Sequence, residues 1–519
     1  MVLRALALLL LCAGAVFAAP RELTIFHLND AHGYIFARPE KGETVGGFAM
    51  LAGALARGRA EAKARGSAVL FLFGGDMFQG TTVVEATHGA CMVELFNRLK
   101  LDAACLGNHE FDYGPATLSA RLGEAKYPIL TTNIHTRLSP LEREMHDRVM
   151  LEADGIKVGI VGATTVNTPA SSFPEHVRDF QFVDPAHALP PVVAKLKAEG
   201  ARVLLALTHI GVGADRELAR ACPSLDVVVG GHSHTVLEQP VMEGRVPIVQ
   251  AGEYTRYLGE VRLKLEDDGS TKLIGARLIR LVAPAVPSDP EVARAVDAYL
   301  APVAQAMAEV VGELAVDVPQ GGKGEDSPMA GLMADALREA GGADIGFANR
   351  GGVRRSMSKG PVTMGAIVEV VPFGNTLVTM DLTGKQIRAL LERSVGGEWV
   401  PGPRGLTPGK RSAGMVQPAG AVVTFDSRKP EGQRVLEVRV GGRSLDEGKL
   451  YRVACTNYVA SGGDGLVELT QGANRKLSAL RDRDMLVKYL AKRRPLRAAP
   501  TPTMTNLATG DLTPGSPMR

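Results

Sequence analysis

From residue 23 to about residue 282, short apolar runs alternate with segments of helical periodicity. The runs at 23–28, 69–73, 103–106, 158–161, 203–207 and 226–229 are mostly continuous rather than alternating. Strands apolar at nearly every position are buried on both faces, so the pattern predicts an α/β sheet. The runs at 246–250 and 258–265 read as antiparallel additions. A proline-punctuated stretch at 283–290 interrupts the pattern, and 291–311 has the periodicity of a linker helix. A second set of elements begins near Pro319, with helices expected at 329–340 and 383–394. Its strands are expected at 345–348, 377–382, 422–425, 435–440 and 451–456. No internal repeat is visible. The chain thus divides into residues 20–283, a connecting segment 284–318, a second unit 319–497 and a tail 498–519. The tail is rich in Pro, Thr and Gly, and disorder is expected there.

The first 19 residues read differently. Arg4 is the only charge before a continuous apolar run at 5–19. Val16 and Ala18 stand at −3 and −1 of a cleavage point after Ala18 or Ala19, as in a secretory signal peptide. The run is shorter than the roughly 20 residues of a spanning helix. Leu11 precedes Cys12 where a lipoprotein would carry a small residue, and the chain ends Gly515-Ser516-Pro517-Met518-Arg519 without a hydrophobic tail. The expectation is a periplasmic or secreted protein without a membrane anchor. A length of 519 residues suggests two or three domains. Composition is that of a globular protein, with 45% hydrophobic and 22% charged residues. The net charge of +3 gives no reason to expect a nucleic-acid polymer or a membrane surface. Five cysteines exclude a disulfide-stapled scaffold, and a single Trp argues against an indole-lined carbohydrate groove.

All 11 histidines precede residue 236, so a metal site would belong to the first unit. Five loops there share one design, an apolar strand followed by a turn loaded with Asp, Asn or His. They are Asn29-Asp30-Ala31-His32-Gly33, Gly74-Gly75-Asp76, Gly107-Asn108-His109-Glu110-Phe111-Asp112, Thr208-His209 and Gly230-Gly231-His232-Ser233-His234. The carboxyl ends of parallel strands converge on one crevice, so five such loops can surround one or two cations. The i, i+2 spacing of Asp30/His32 and His232/His234 puts each pair on one side of an extended backbone. Alone, an Asp-x-His is usually a surface turn, Asn108 and Asp112 could be helix caps, and His209 could be a core histidine. Five in order are hard to explain that way. The nitrogen and oxygen donors, without thiolate, suit zinc, manganese or iron. Two such ions about 3.5–4 Å apart can generate a hydroxide and clamp an in-line displacement at phosphorus.

The five loops resemble those of the calcineurin-like metallophosphoesterases. The run Phe26-His27-Leu28-Asn29-Asp30-Ala31-His32-Gly33 and the Asn108-His109-Glu110 loop look like the secreted 5′-nucleotidase branch. The second half agrees: Asn349-Arg350-Gly351-Gly352-Val353-Arg354, Pro372-Phe373-Gly374 and Gly462-Gly463-Asp464-Gly465 resemble that family's C-terminal loops. The resemblance covers nearly everything between signal and tail. It implies an α/β fold of two domains, an N-terminal metallophosphoesterase αββα sandwich and a C-terminal α+β substrate-binding domain. It implies two divalent ions, zinc or manganese, one held by Asp30, His32 and His234, the other by Asn108, His209 and His232, with Asp76 bridging. His109, oriented by Asp112, would stabilise the transition-state charge or protonate the leaving alkoxide. Asn349 and Arg354 would bind the substrate, Phe373 and Tyr458 would sandwich the nucleobase, and Asp464 would accept from the ribose. Three positions depart from many relatives: Lys323, expected with the others to bind the substrate, stands where they often carry Arg, His234 where some carry an amide, and Tyr458 where Phe is common.

The function expected is hydrolysis of nucleoside 5′-monophosphates to nucleoside and phosphate, by in-line attack of a metal-activated hydroxide. A phosphodiesterase acting on nucleotide sugars or cyclic nucleotides is an alternative, and so is a non-catalytic nucleotide-binding protein on the same scaffold. The partner expected is a small nucleotide, and no protein partner is inferred.

Overall fold

The computed structural model describes residues 21–321, 326–397, 399–402, 405–408 and 414–508. The first unit is built from two six-stranded sheets. One has the order Thr271–Arg280, Tyr257–Leu265, Glu22–Leu28, Ala68–Phe73, Ala103–Cys105, Ile129–Leu130. The other has the order Val241–Glu243, Val246–Val249, Val227–Val229, Val203–His209, Ile156–Thr164, Arg148–Ala153. Leu23, Ile25, Leu70 and Leu72 from the first sheet share one buried cluster with Val158, Ile160, Leu205 and Leu207 from the second. The opposite faces are covered by helices. Phe26, Phe71 and Phe73 pack with the helix Phe48–Ala64, and Val161, Leu204 and Ala206 pack with the helix Pro185–Ala198. The inner strands of both sheets are therefore dry on both faces, which is why their runs are continuous rather than alternating. The result is the expected αββα sandwich.

Glu22–Leu28, Ala68–Phe73 and Ala103–Cys105 run parallel, as do Ile156–Thr164, Val203–His209 and Val227–Val229. Their carboxyl ends meet at one edge of the sandwich and carry the five polar loops. Tyr257–Leu265 is antiparallel to Glu22–Leu28, as expected. Val246–Val249 is not an antiparallel addition to the main sheet; it lies parallel to Val227–Val229. The chain returns first along Val241–Glu243 and then reverses in a hairpin, and that reversal sets the direction.

The connecting helix spans Pro290–Ala308, capped by Asp289, whose side chain accepts from the amides of Glu291 and Val292. Val292 and Val296 pack into the core of the first unit, so the helix is docked on that unit rather than a free linker. It stops short of the expected residue 311. Val310–Leu314 is a strand antiparallel to Gly360–Thr363, as suits its β-branched start. The second unit's first strand thus lies ahead of residue 319.

The main sheet of the second unit has the order Val416–Ala419, Ile345–Asn349, Leu450–Thr456, Thr376–Thr383, Ala473–Arg481. The helix Pro328–Gly341 covers one face and the helix Gly384–Ser394 the other. Thr383 and Gln386 form a reciprocal capping box that starts the second helix. The expected disorder of the tail does not hold at Met504–Asn506, a strand parallel to Ala421–Phe425. Met504 is buried in the core and the Asn506 side chain donates to Ser427 Oγ, which anchors an otherwise polar segment. The signal segment 1–19, residues 509–519 and Lys323 lie outside the described residues. No described helix is long and apolar enough to cross a membrane.

Candidate active site

The five loops bring their polar side chains to one place. Asp30, His32 and His234 form one group of facing donor atoms, and Asp76, His209 and His232 form another. Asp30 Oδ1 lies 3.1 Å from His234 Nε2 and 3.9 Å from both His32 Nε2 and His209 Nε2. Asp76 Oδ2 lies 3.0 Å from His209 Nε2 and 3.7 Å from His32 Nε2. The other oxygens are anchored: Asp30 Oδ2 accepts from the His232 amide at 2.9 Å and from Asn29 Nδ2 at 2.6 Å, and Asp76 Oδ1 from the His109 amide at 3.0 Å.

The backbone that achieves this is left-handed. Asp30, His32, Asp76, His232 and His234 have φ of 50°, 47°, 61°, 77° and 54°. The extended geometry expected for the two i, i+2 pairs is therefore wrong; the turns themselves aim the side chains. Non-glycine residues in this region carry a cost of about 1–3 kcal/mol each and persist where the surroundings enforce them, commonly at functional sites. Gly107 is required for a related reason. A Cβ there would come 2.1 Å from Asp76 Oδ1.

The donor set fits divalent cations. His209 Nδ1 donates to the Gly74 carbonyl at 2.7 Å, which leaves Nε2 as the atom facing the carboxylates. That buried Nε2 has no hydrogen-bond partner despite its nearness to Asp76, and neither does buried Asn108 Oδ1. Inward-facing nitrogen and oxygen donors gathered this closely suit a shared cation. The electrostatics agree. Burial opposes protonation of His209 and His234, but the neighbouring carboxylates outweigh it and raise their pKa values to about 9 and about 10. Burial also opposes ionisation of Asp30, and the histidines outweigh it, holding its pKa at about 2. Burial instead pushes His32 well down and His232 to about 4, and neutral imidazoles beside ionised carboxylates are the forms that ligate metals.

His109 stands beside this cluster, its ring centroid 5.4 Å from that of His32. Its Nδ1 donates to Asp112 Oδ2 at 2.7 Å, so Nε2 is the free position. Asp112 does not cap the following helix, which makes no side-chain capping bond, and Asp112 Oδ1 accepts from Ser172 Oγ at 3.4 Å. Burial lowers the proton affinity of His109, but Asp112 and Asp76 more than offset it, so its pKa is raised.

A cleft of about 770 Å³ opens over these groups, lined by both units. Asp76, Asn108, His109, Asp112, His232 and His234 face Asn349, Arg354, Phe373, Tyr458 and Asp464 across it. Asp30, His32 and His209 lie buried next to the lining residues. The Phe373 ring stands 5.8 Å from that of His109. Asp464 is held by two bonds, accepting from Asn349 Nδ2 at 2.7 Å and from the Tyr458 hydroxyl at 3.0 Å. The loop after Phe373 is pinned by Asp482 Oδ2, which accepts from the Asn375 amide at 3.1 Å.

The calcineurin-like phosphoesterase family matches residues 23–236, and the 5′-nucleotidase C-terminal domain matches residues 310–471. A 5′-nucleotidase of Homo sapiens is 30% identical over 94% of this chain and 92% of its own length. The chain belongs to the 5′-nucleotidase family. The crystal structure of a 5′-nucleotidase precursor from Thermus thermophilus superposes with a TM-score of 0.85 at 31% identity, covering 93% of this chain and 99% of that one. The trifunctional nucleotide phosphoesterase protein of Bacillus subtilis is 28% identical over 91% of this chain, which spans 34% of that longer protein. The family binds divalent metals, and with these relatives the chain is a metal-dependent hydrolase.

Three residues of this 5′-nucleotidase-family site have no role in the sequence reading. Phe173 reaches in from the first unit and meets Tyr458 edge-on at 5.7 Å. Glu253 contacts His234. It follows the apolar run at 246–250, so Gly252-Glu253-Tyr254 is a sixth loop of the same design, and that signal could have found it. Glu110 is buried beneath the cluster and accepts from the amides of Gly107, Asp76, Met77 and Phe78. It ties two of the donor loops together. Burial and the nearby Asp76 push its pKa up to about 7. Glu110→Ala would strand four amides, each at a cost of about 1–3 kcal/mol if left unsatisfied. Thermal unfolding should shift down by several degrees, with a smaller shift for Glu110→Gln, which keeps one acceptor oxygen. An unchanged midpoint for Glu110→Ala would contradict the loop-tying role.

Proposed function

We propose that this protein hydrolyses nucleoside 5′-monophosphates to nucleoside and phosphate, using two divalent cations. The observation that supports the reading is a single cleft with the His and Asp donor groups on one wall and Asn349, Arg354, Phe373, Tyr458 and Asp464 on the other. Asp30, His32 and His234 would hold one ion. Asn108, His209 and His232 would hold the other, with Asp76 between them. When bound, the ions supply Lewis acidity and an activated water for in-line displacement at phosphorus. Arg354 orients the phosphate, Phe373 and Tyr458 take the base between them, and Asp464 accepts from the ribose. His109 then gives its Nε2 proton to the leaving 5′ oxygen as the P–O5′ bond breaks and the water oxygen joins phosphorus. Asp112 keeps the ring in the tautomer and orientation this needs. The donor chemistry favours zinc or manganese over softer ions. The apolar run at 5–19 with small residues at its end supports export to the periplasm or the medium.

Phosphate release from AMP is the direct test. It should be lost on chelation and restored by zinc or manganese; a chelated protein that still turns over AMP would sink the two-metal reading. His109→Ala should lower kcat far more than it raises KM, with metal content near wild type. A variant that instead loses metal would make His109 a ligand. Double alanine substitution of Phe373 and Tyr458 should weaken AMP binding, each stacking face contributing about 1–3 kcal/mol. Hydrolysis of a small alkyl phosphate should stay near the wild-type rate. Equal losses on both substrates would assign those rings to the fold instead.

A further inference from the structure

We infer that Glu253 is a positioning residue that fixes His234 as a metal donor. The inference rests on the two-cation reading above. His234 is the most open member of its group, with its side chain 23% exposed against 0% for Asp30 and 1% for His32. An imidazole at the mouth of a cleft keeps rotamer freedom that its buried partners have lost, so it needs a hold of its own. Glu253 supplies one. Its Oε2 makes a close contact with His234 Nδ1, on the side of the ring away from the cluster. That bond leaves Nε2 as the donor nitrogen, 3.1 Å from Asp30 Oδ1 and 3.2 Å from His32 Nε2.

Glu253 is itself fixed. Arg256 Nη2 lies 3.4 Å from Glu253 Oε1, and Arg256 Nε lies 3.3 Å from Glu40. The amide of the next residue, Tyr254, donates to the Asp30 carbonyl at 2.7 Å. Gly252, Tyr254 and Thr255 have φ of 70°, 58° and 55°, so the segment is a tight left-handed turn folded onto the first metal loop. Asn29 closes the connection, donating through Nδ2 to the Gly252 carbonyl at 2.7 Å and accepting through Oδ1 from the Ala251 amide at 2.8 Å. His209 is held differently, by the neutral carbonyl of Gly74. A carboxylate on the far nitrogen fixes the tautomer and raises the basicity of a ligating imidazole, and its loss usually costs about 10–100-fold in metal affinity.

The test is calorimetric titration of the chelated full-length protein with Mn²⁺. Wild type should bind two ions. Glu253→Ala should weaken one of them by about 10–100-fold and leave the other unchanged. Glu253→Gln, which keeps an acceptor oxygen without the charge, should fall between and carries the test if the alanine variant does not fold. In a His234→Asn background, Glu253→Ala should cost nothing further, because its effect passes through the imidazole. Unchanged affinities in both Glu253 variants would overturn the inference, and so would equal losses in the two backgrounds. A wild-type protein that binds fewer than two ions would overturn the two-cation reading and this inference with it. Wild type binding two ions beside unaffected Glu253 variants would overturn the positioning role alone.

Discussion

Asp30 and Asp76 are two buried carboxylates close enough that the charge of Asp76 works against the ionisation of Asp30. Both can stay ionised in a dry interior only if positive charge is gathered around them. The surrounding loops do this. His209 and His234 are drawn toward the charged state although burial opposes it, because the carboxylates outweigh burial. His32 answers differently, with burial pushing its proton affinity well below the usual range and leaving a neutral ring at the centre. The two carboxylates are thus a concentrated negative field, balanced by protons on His209 and His234 that divalent cations would displace.

Holding that field requires rigid support from below. The parallel strands of both sheets end at one edge, so each loop starts from a fixed point. Glu110 and Asn29 then cross-link loops that are far apart in the chain. The left-handed residues stay in place because the sheets beneath allow no relaxation. The second unit completes the cleft, and contacts across it set the distance between chemistry and recognition. Arg483 makes a bidentate pair with Glu85, at 2.8 and 3.0 Å, joining the helix after the second unit's last main-sheet strand to the first unit. Phe173 against Tyr458 and His109 against Phe373 are further contacts between the units, both at the cleft itself. In this arrangement Phe373, from the second unit, touches the wall that carries His109.

Much of this is legible from residues alone. Continuous apolar runs announce sheets buried on both faces, and polar turns after five of those runs announce the donor set, because strand ends in such sheets converge. The features that depart from the sequence reading depend on how segments pair and pack. Val246–Val249 takes its direction from a hairpin, the helix at Pro290–Ala308 owes its docking to the core it meets, and Met504–Asn506 is ordered by Ala421–Phe425. The role of Glu253 exists only once His234 is folded against it.

The chain's own pattern determined which residues are buried, which loops hold donors and which chemistry those donors suit, since burial periodicity and ligand type are local properties. Only the tertiary structure decided how the donors are aimed and shared. Left-handed turns rather than extended pairs point the side chains, Asp76 faces both His209 and His32, and two units close on one cleft. Those are matters of distance between segments up to hundreds of residues apart, and packing alone sets them.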